Sequence, residues 1–189
     1  MTDPSLDSRK AELRRVARAK RLATAQPGAA AALVTNFPAE LAAFTVIAGY
    51  WPLGSEIDCR PLLAAFVKEG AVVALPRIAE RDELPVFRLW LPDDPLSPDA
   101  YGIMAPPPNA LPVTPQLVLT PLLAFDRKGG RLGQGGGHYD RTIAALRAEV
   151  AVTIAGLAYA AQEIAEVPTG PYDQSLDWII TDREAIRVR

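Results

Sequence analysis

Short apolar runs recur along the chain from about residue 45 and are separated by stretches with helical periodicity. Runs of four to six residues that are rich in β-branched side chains are typical of strands buried on both faces of a sheet. Five such runs predict buried strands at 45–50, 71–75, 116–120, 152–157 and 178–181. The run 85–91 instead alternates, carries Arg88 and lies among prolines, so we predict an edge strand there.

The first helix is predicted at 8–25, because this stretch lacks Gly and Pro and is rich in strong helix formers. Asp7 or Ser8 is placed to cap its first turn. A second, alanine-rich helix is predicted at 29–36, and Pro38 interrupts it before a further short helical turn.

A helix that begins near Arg60 links two of the predicted strands. We expect Asp58 as its N-cap, Pro61 in its first turn and Gly70 just past its end, and we expect Pro76 to stop the strand that follows. This β-α-β unit predicts a right-handed parallel crossover.

Strands and helices alternate to the end of the chain, where 139–148 predicts a last helix. Residues 92–115 hold eight of the 18 prolines, which is typical of an extended covering segment and not of a flexible linker. No second hydrophobic core and no internal repeat are visible. We therefore predict an α/β fold, a single-domain three-layer α/β/α sandwich with a mainly parallel sheet, over residues 1–189.

Composition narrows the function classes. The 189 residues are 49% hydrophobic and 22% charged, as in globular proteins, and a formal net charge of −2 argues against nonspecific nucleic-acid binding by the chain as a whole. Cys59 is the single cysteine, so neither an intrachain disulfide nor a cysteine-based zinc cluster can form. No run approaches the ~18 apolar residues of a membrane span. We expect a soluble cytoplasmic protein, neither exported nor membrane-bound.

The first predicted helix carries a cationic face. Residues 9–21 contain seven Lys or Arg against one Glu, and Lys10, Arg14 and Arg18 recur at four-residue spacing. Exposed basic helices are ordinarily only solvated, so this stripe alone leaves a binding role open.

A glycine-rich loop follows the strand predicted at 116–120, with six of the 13 glycines in residues 129–137. Glycines allow backbone N–H groups to converge on an anion, and the next helix adds its N-terminus, so phosphate is the expected guest. Arg131 and Lys128 could reinforce the site; a plain flexible surface loop is the alternative. The loop lacks the Gly-Lys-Ser/Thr ending of a Walker A motif, and His138 replaces the third Gly of a dinucleotide fingerprint.

The sequence Arg-Leu-Gly-Gln-Gly-Gly-Gly-His-Tyr-Asp at 131–140 resembles the signature of the 5-formyltetrahydrofolate cyclo-ligase family, which ends in glycine, an aromatic residue, tyrosine and aspartate. The segment from Lys10 to Arg14 resembles the family's lysine-x-x-x-arginine helix, and 50–56 resembles its tyrosine-to-glutamate segment. Further matches follow in the family's order to 181–182, so the resemblance covers essentially the whole chain.

The resemblance implies an enzyme that uses ATP and Mg²⁺ to convert 5-formyltetrahydrofolate to 5,10-methenyltetrahydrofolate, ADP and phosphate. It implies catalytic roles for Lys10, Arg131 and Tyr139, and Mg²⁺ binding by Asp140 and Asp173. It assigns ATP binding to Lys10, Arg14, Arg131, Leu132, Gly133, Gln134, Gly135, Gly136, Gly137, His138 and Tyr139. It assigns folate binding to Glu56, Tyr101, Gln134, Gly135, Gly136, Gly137 and His138.

Three positions depart from the family pattern. His138 stands where the family has tyrosine or phenylalanine, so we expect its ring to pack against the substrate and not to exchange protons. Ala105 replaces a common glutamate and Leu122 a common glycine, which bears on contacts with the folate tail. Trp51, Trp90 and Trp178 are expected in the core or at its rim, without a site role.

Several alternatives stay open from the residues themselves. Asp140 could be a first-turn helix charge, Asp173 a turn residue and Glu56 a surface acid. The same fold could activate another amide or carboxylate, bind folate or nucleotide without catalysis, or bind nucleic acid through its basic helix. We expect ATP and 5-formyltetrahydrofolate as partners of a monomer, with no nucleic acid and no membrane.

Overall fold

A seven-stranded sheet runs through the centre of the molecule, which a computed structural model describes over residues 4–188, so both ends of the predicted 1–189 domain lie outside it. The strands are β1 Val46–Ala48, β2 Val72–Arg77, β3 Val86–Leu89, β6 Leu117–Pro121, β9 Thr153–Ala158, β10 Trp178–Thr181 and β11 Ala185–Arg187. Their order is β11-β10-β9-β6-β1-β2-β3. The five central strands are parallel, and the edges β3 and β11 pair antiparallel, which confirms the mainly parallel sheet.

Helices cover both faces of this sheet. The helices are α1 Pro4–Thr24, α2 Ala29–Thr35, α3 Ala39–Ala42, α4 Arg60–Lys68 and α5 His138–Glu149. One buried cluster joins α2, α3 and α4 to one face, for example through Leu33, Leu41 and Leu63. A second cluster joins α5 to the other face through Ile143. The predicted three-layer α/β/α sandwich is confirmed.

Successive strand residues serve opposite faces, which explains the apolar runs. In β1, Ile47 belongs to the cluster with α2–α4 and Ala48 to the cluster with α5. In β6, Leu117 and Val118 divide in the same way. Because both faces are covered, a polar residue at either position would lie buried, and an unbroken apolar run is the result.

Both predicted N-caps are wrong. The first helix begins at Pro4, a residue that suits a first helical turn, and Asp7 therefore lies inside that turn, where its charge favours the helix dipole. The N-cap of α4 is Cys59. Asp58 still serves this helix, because its Oδ1 accepts the backbone N–H of Arg60 at 2.9 Å.

The strand predicted to stop at Pro76 continues to Arg77. Register pairs β2 with β1 only as far as Ala74, whereas β3 pairs with β2 beyond that point, with Pro76 opposite Phe87. The missing N–H of proline is tolerated where a strand has a neighbour on one side only.

Four short strands lie where no strand was predicted, in addition to the edge strand β11. Within the proline-rich segment, β4 Ser97–Pro98 pairs with β5 Met104–Ala105, and within the glycine-rich segment, β7 Ala124–Phe125 pairs with β8 Arg131–Leu132. The second pair positions α1, since Leu13 and Ala17 pack in one cluster with Leu132. No helix in residues 4–188 combines the length and the apolar character that crossing a membrane requires.

Candidate active site

A cavity of about 630 Å³ opens at the carboxyl ends of the parallel strands, where open α/β sheets bind ligands. It is lined by residues that follow β1 and β6, by α1, by the glycine-rich loop and by the start of α5. The structure brings together around this one cavity all the residues to which the family resemblance assigned a role: Lys10, Arg14, Glu56, Tyr101, Arg131, Leu132, Gly133, Gln134, Gly135, Gly136, Gly137, His138, Tyr139, Asp140 and Asp173. Lys128, which we expected could reinforce the phosphate site, is instead exposed and lies 3.7 Å from Glu166, outside the cavity lining.

The cations of α1 form one wall of the cavity. Lys10 Nζ lies 2.5 Å from Asp173 Oδ2, and Arg14 Nε donates to the carbonyl oxygen of Gly133 at 3.1 Å. One turn further, Arg18 donates to both the side-chain and the backbone oxygen of Gln134 at 3.1 Å each. The four-residue spacing read from the sequence therefore aims one face of the helix at the glycine-rich loop.

The loop needs glycine at consecutive positions. Gly135 and Gly137 have φ of +109° and +65°, in the region that other L-residues avoid. A Cβ on Gly136 would lie 2.8 Å from Cδ2 of His138. Gly137 is also the N-cap of α5, so the unpaired N–H groups of the helix start lie beside the cavity and favour an anion there.

Arg131, within the glycine-rich segment, lines the cavity with its side chain only 2% exposed. Its Nη2 donates to Asp140 Oδ1 at 2.6 Å, and its guanidinium carbon lies 5.8 Å from the centre of the Tyr139 ring. Nε of Arg131 is buried without a hydrogen-bond partner in the described part of the chain. Burial raises the pKa of Tyr139, so its phenol keeps its proton at neutral pH.

Two carboxylates stand beside these cations. Asp140 Oδ1 accepts from Arg131 and from the backbone N–H of Gln174 at 3.0 Å, and Asp173 Oδ2 accepts from Lys10 and from the N–H of Gly170 at 2.5 Å. Within residues 4–188, no hydrogen bond engages the second oxygen of either carboxylate. The same residues contain no group of three or more His, Cys, Asp or Glu that could hold a metal alone.

This donor set fits Mg²⁺ that shares its coordination with a ligand. Mg²⁺ prefers hard oxygen ligands, and it commonly uses one or two carboxylates while phosphate and water fill the remaining positions. Two carboxylates beside a loop with the features of a phosphate site meet that requirement.

Glu56 lines the cavity and is buried, with 9% of its surface exposed. Its Oε2 accepts the backbone N–H of Leu53 at 3.0 Å, and its Oε1 lies 3.5 Å from Nη1 of Arg21. Burial raises the pKa of Glu56, against the opposing effects of Leu53, Arg21 and Gln134. Glu56 is thus neither exposed nor a bystander, and the surface-acid alternative is wrong.

His138 and Tyr101 form an aromatic pair at the cavity. Their ring centres lie 4.9 Å apart in an edge-to-face arrangement, and His138 Nδ1 lies 3.3 Å from Nη2 of Arg141. Burial and the neighbouring guanidinium lower the pKa of His138, so the neutral ring predominates at neutral pH.

Sequence reasoning missed several residues of the cavity and its support. Trp51 lines the cavity as well as packing edge-on against Trp90 at 6.3 Å, although we assigned it no site role. Trp90 and Trp178 belong to the core and its rim, as predicted. Arg21 was missed although it lies on the same helical face, three residues after Arg18, and Tyr172 carries no signal beyond its place next to Asp173.

Comparison with known proteins adds independent information. The model of the 5-formyltetrahydrofolate cyclo-ligase family matches residues 7–182. The 5-formyltetrahydrofolate cyclo-ligase of Haemophilus influenzae is 35% identical over 135 residues, which cover 69% of this chain and 72% of that protein. The Mycolicibacterium smegmatis protein of the same name is 33% identical over 150 residues, covering 74% and 75% of the two chains.

Solved structures agree with the fold. The Aquifex aeolicus 5,10-methenyltetrahydrofolate synthetase superimposes with a TM-score of 0.79 at 28% identity, over 95% of this chain and 93% of that chain. The Mycoplasma pneumoniae synthetase shares the fold with a TM-score of 0.71 at 22% identity, over 92% and 99% of the two chains.

Proposed function

Since this chain belongs to the 5-formyltetrahydrofolate cyclo-ligase family, we propose that it converts 5-formyltetrahydrofolate and ATP, with Mg²⁺, to 5,10-methenyltetrahydrofolate, ADP and phosphate. One observation carries the proposal: a single cavity combines a cationic wall, a glycine-rich loop, two carboxylates and a buried glutamate. This combination suits phosphoryl transfer to a neutral acceptor. The negative charge of the phosphates must be neutralised on one side of the cavity, and the acceptor must be oriented on the other side.

The triphosphate would lie between α1 and the glycine-rich loop. Lys10 supplies a point charge and Arg14 a planar fork of donors, both suited to phosphate oxygens. The N–H groups at the start of α5 act in the same direction. Lys10 pairs with Asp173 and Arg14 with Gly133, and both contacts direct these side chains to the site.

Asp140 and Asp173 would hold Mg²⁺, which would neutralise negative charge on the phosphates. Arg131 would orient Asp140, because the ion pair fixes one carboxylate oxygen and leaves the other for the metal, and the Tyr139 ring lies against the Arg131 guanidinium. These placements are part of the proposal and follow the residues that the family pattern matches.

The chemistry requires activation of a poor leaving group. The formyl oxygen attacks the γ-phosphorus of ATP, and the bond from phosphorus to ADP breaks. The lone pair of N10 then attacks the formyl carbon, its proton passes to solvent, and the carbon–oxygen bond breaks to release phosphate. The protein contributes mainly by positioning: it holds the formyl oxygen in line with the γ-phosphorus and the departing oxygen of ADP, and it holds N10 close to the formyl carbon.

The folate would occupy the end of the cavity that contains Glu56. The Glu56 carboxylate can accept N–H groups of the pterin, and the Tyr101–His138 pair offers flat rings for packing. The backbone of residues 134–138 would border the formyl group. The expected monomer in the cytoplasm, without nucleic-acid or membrane partners, completes the proposal and rests on the sequence.

Turnover of 5-formyltetrahydrofolate tests the proposal directly. Purified protein is incubated with 5-formyltetrahydrofolate, ATP and Mg²⁺, and the near-ultraviolet absorbance of the methenyl product is followed together with ADP. We expect both to rise in equal amounts and to stop when ATP or Mg²⁺ is withheld. ATP binding without methenyl product would mean that the acceptor is a different amide or carboxylate.

Two variants separate the two halves of the cavity. Lys10→Met should raise the KM for ATP at least about tenfold, because it removes a phosphate contact. Lys20→Met is the matched control, since Lys20 lies on the same helix but outside the cavity lining, and its Nζ donates to the carbonyl oxygen of Glu163 at 3.4 Å. Glu56→Gln should abolish turnover while ATP still binds, and undiminished turnover would contradict the folate assignment.

A further inference from the structure

Arg21 lies behind the cavity wall and holds residues that form it. Its side chain is 7% exposed and is not among those that line the cavity. Its Nε donates to Ser55 Oγ at 3.1 Å, and its Nη1 donates to the carbonyl oxygen of Leu122 at 3.3 Å and lies 3.5 Å from Glu56 Oε1. Arg21 therefore joins α1 to the two segments that follow β1 and β6.

A buried carboxylate such as Glu56 needs compensation for its lost hydration. The N–H of Leu53 on Oε2 and the guanidinium of Arg21 on Oε1 supply it, and the Gln134 side chain adds a further stabilising contribution. The two contacts use different oxygens, so together they determine both the position and the rotation of the carboxylate. Removing one partner of a buried pair leaves an uncompensated charge, which is costly.

The other titratable groups that face Glu56 carry no charge at neutral pH. They are Tyr50, Cys59 and Tyr139, and burial raises the pKa of each. Tyr50 donates its phenolic O–H to the carbonyl oxygen of Ile57 at 2.6 Å, and the Cys59 thiol donates to the carbonyl oxygen of Tyr50 at 3.1 Å, so neither proton is directed to Glu56. The cationic contribution at Glu56 thus comes from Arg21.

We propose that Arg21 is a positioning residue for the reaction: it holds the Glu56 carboxylate in the orientation that receives the folate. Arg21 does not line the cavity, so it acts on the substrate through the residues that it holds, of which Glu56 is the charged one. The cations of α1 then have two tasks. Lys10 and Arg14 face the phosphate end of the cavity, whereas Arg21, at the end of the same helix, supports the folate end.

Steady-state kinetics with each substrate varied separately test this inference, which rests on the proposed function. Arg21→Gln should raise the KM for 5-formyltetrahydrofolate at least about tenfold near pH 6 and change the KM for ATP less than about twofold. Without the guanidinium the pKa of Glu56 rises, so its carboxylate stays protonated to higher pH. The acid limb of kcat/KM should therefore move to higher pH, and the defect should shrink as the pH rises.

Arg21→Lys and Arg15→Gln complete the series. Arg21→Lys keeps the positive charge, so the acid limb of its kcat/KM profile should lie close to that of the wild-type protein. Arg15→Gln is the matched control, because Arg15 lies on the same helix but pairs with Glu12 in solvent, with its side chain 73% exposed. A loss in Arg21→Gln that is equal for both substrates and independent of pH would show a merely structural role and overturn the inference.

A second variant keeps the inference testable if Arg21→Gln fails to fold. Ser55→Ala removes the acceptor of Arg21 Nε and leaves the buried charge pair intact, so the guanidinium loses one anchor. We expect the Kd for 5-formyltetrahydrofolate, measured by calorimetry without ATP, to rise about threefold or more. An unchanged Kd would overturn the inference. If the wild-type protein neither binds nor converts 5-formyltetrahydrofolate, the proposed function itself fails.

Discussion

Asp140 and Asp173 show at the scale of single residues how one carboxylate can serve two purposes. One oxygen of each accepts from a protein cation, Arg131 or Lys10, and also from a backbone N–H. Such contacts lock the side chain before any ligand arrives, which lowers the ordering cost of binding. The other oxygen keeps its capacity for a metal.

Asp140→Asn and Asp173→Asn should each raise the Mg²⁺ concentration for half-maximal activity at least about tenfold, because a neutral amide binds a hard cation less well than a carboxylate. Titration of activity with Mg²⁺ at saturating ATP measures this shift, and binding of Mn²⁺ with ATP gives a readout without turnover. Asp58→Asn is the control, since Asp58 also pairs with an arginine, Arg60 at 2.7 Å, but does not line the cavity. If kcat falls while the Mg²⁺ concentration for half-maximal activity is unchanged, Asp140 and Asp173 serve only as partners of Arg131 and Lys10 and do not bind the metal.

His138 offers a contrast between a titrating and a packing side chain. Its neutral state and its edge contact with Tyr101 favour the second role. We expect His138→Phe to lower kcat/KM less than about threefold and His138→Ala more than about tenfold, because only the first keeps a flat ring. The pH profile of kcat/KM should keep its shape in His138→Phe. A fall of several orders in kcat for this variant would assign proton transfer to the imidazole.

The element that organises the site is α1. One helical face carries Lys10, Arg14, Arg18 and Arg21, which contact Asp173, Gly133, Gln134 and Glu56 in that order. Packing with the β7–β8 pair holds the helix against the loop that these side chains reach. A stripe that an isolated helix would leave in solvent is thereby converted into a wall of the cavity.

The glycine-rich loop is the second element, and its backbone conformation can be tested. Gly135→Ala should raise the KM for ATP about tenfold or more, because φ of +109° strains alanine and its Cβ would lie 3.4 Å from the Arg14 guanidinium. Gly70→Ala carries similar backbone strain at φ +87° after α4, with no atom within 4 Å of the Cβ. It should lower stability by about 1 kcal/mol and leave KM unchanged. Equal effects of both variants on KM would remove any special role of the loop conformation.

At the scale of the whole molecule, binding and stability draw on different layers. The cluster with α2–α4 supports one face of the sheet, while α1, the loop and α5 carry most of the polar contacts of the site. Leu33, fully buried in α2, does not line the cavity. Stability can therefore be changed without touching the residues that line the cavity.

Leu33→Ala should lower the free energy of unfolding by about 3 kcal/mol through lost burial and a cavity, and should leave both KM values unchanged below the melting temperature. Denaturant unfolding and steady-state kinetics measure the two effects. Leu111→Ala is the control, because Leu111 is 63% exposed and its loss should change stability by less than about 0.5 kcal/mol. A raised KM in Leu33→Ala would show that the two layers are coupled.

Local pattern in the sequence was enough for the central strands, the main helices, the glycine-rich loop and the cationic face of α1. Each depends on residues that are near one another in the chain, such as Lys10 and Arg14, and local periodicity records such relations directly. The ends of elements were less predictable, as Pro4, Cys59 and Pro76 show, because caps and strand ends depend on neighbours in space. The paired strands within the glycine-rich and proline-rich segments were missed for the same reason.

Tertiary structure alone decided which distant residues meet. Lys10 and Asp173 are separated by 163 positions, and Arg21 and Glu56 by 35, yet each pair is in contact. These contacts follow from the strand order, in which β6 inserts between β1 and β9 and brings the carboxyl ends of separate segments to one edge. Sequence pattern shows that a strand is buried but not which strand lies beside it, because that choice depends on the packing of the whole sheet. The residue types of the site could thus be read from the chain, whereas the support of Glu56 by Arg21 required the fold.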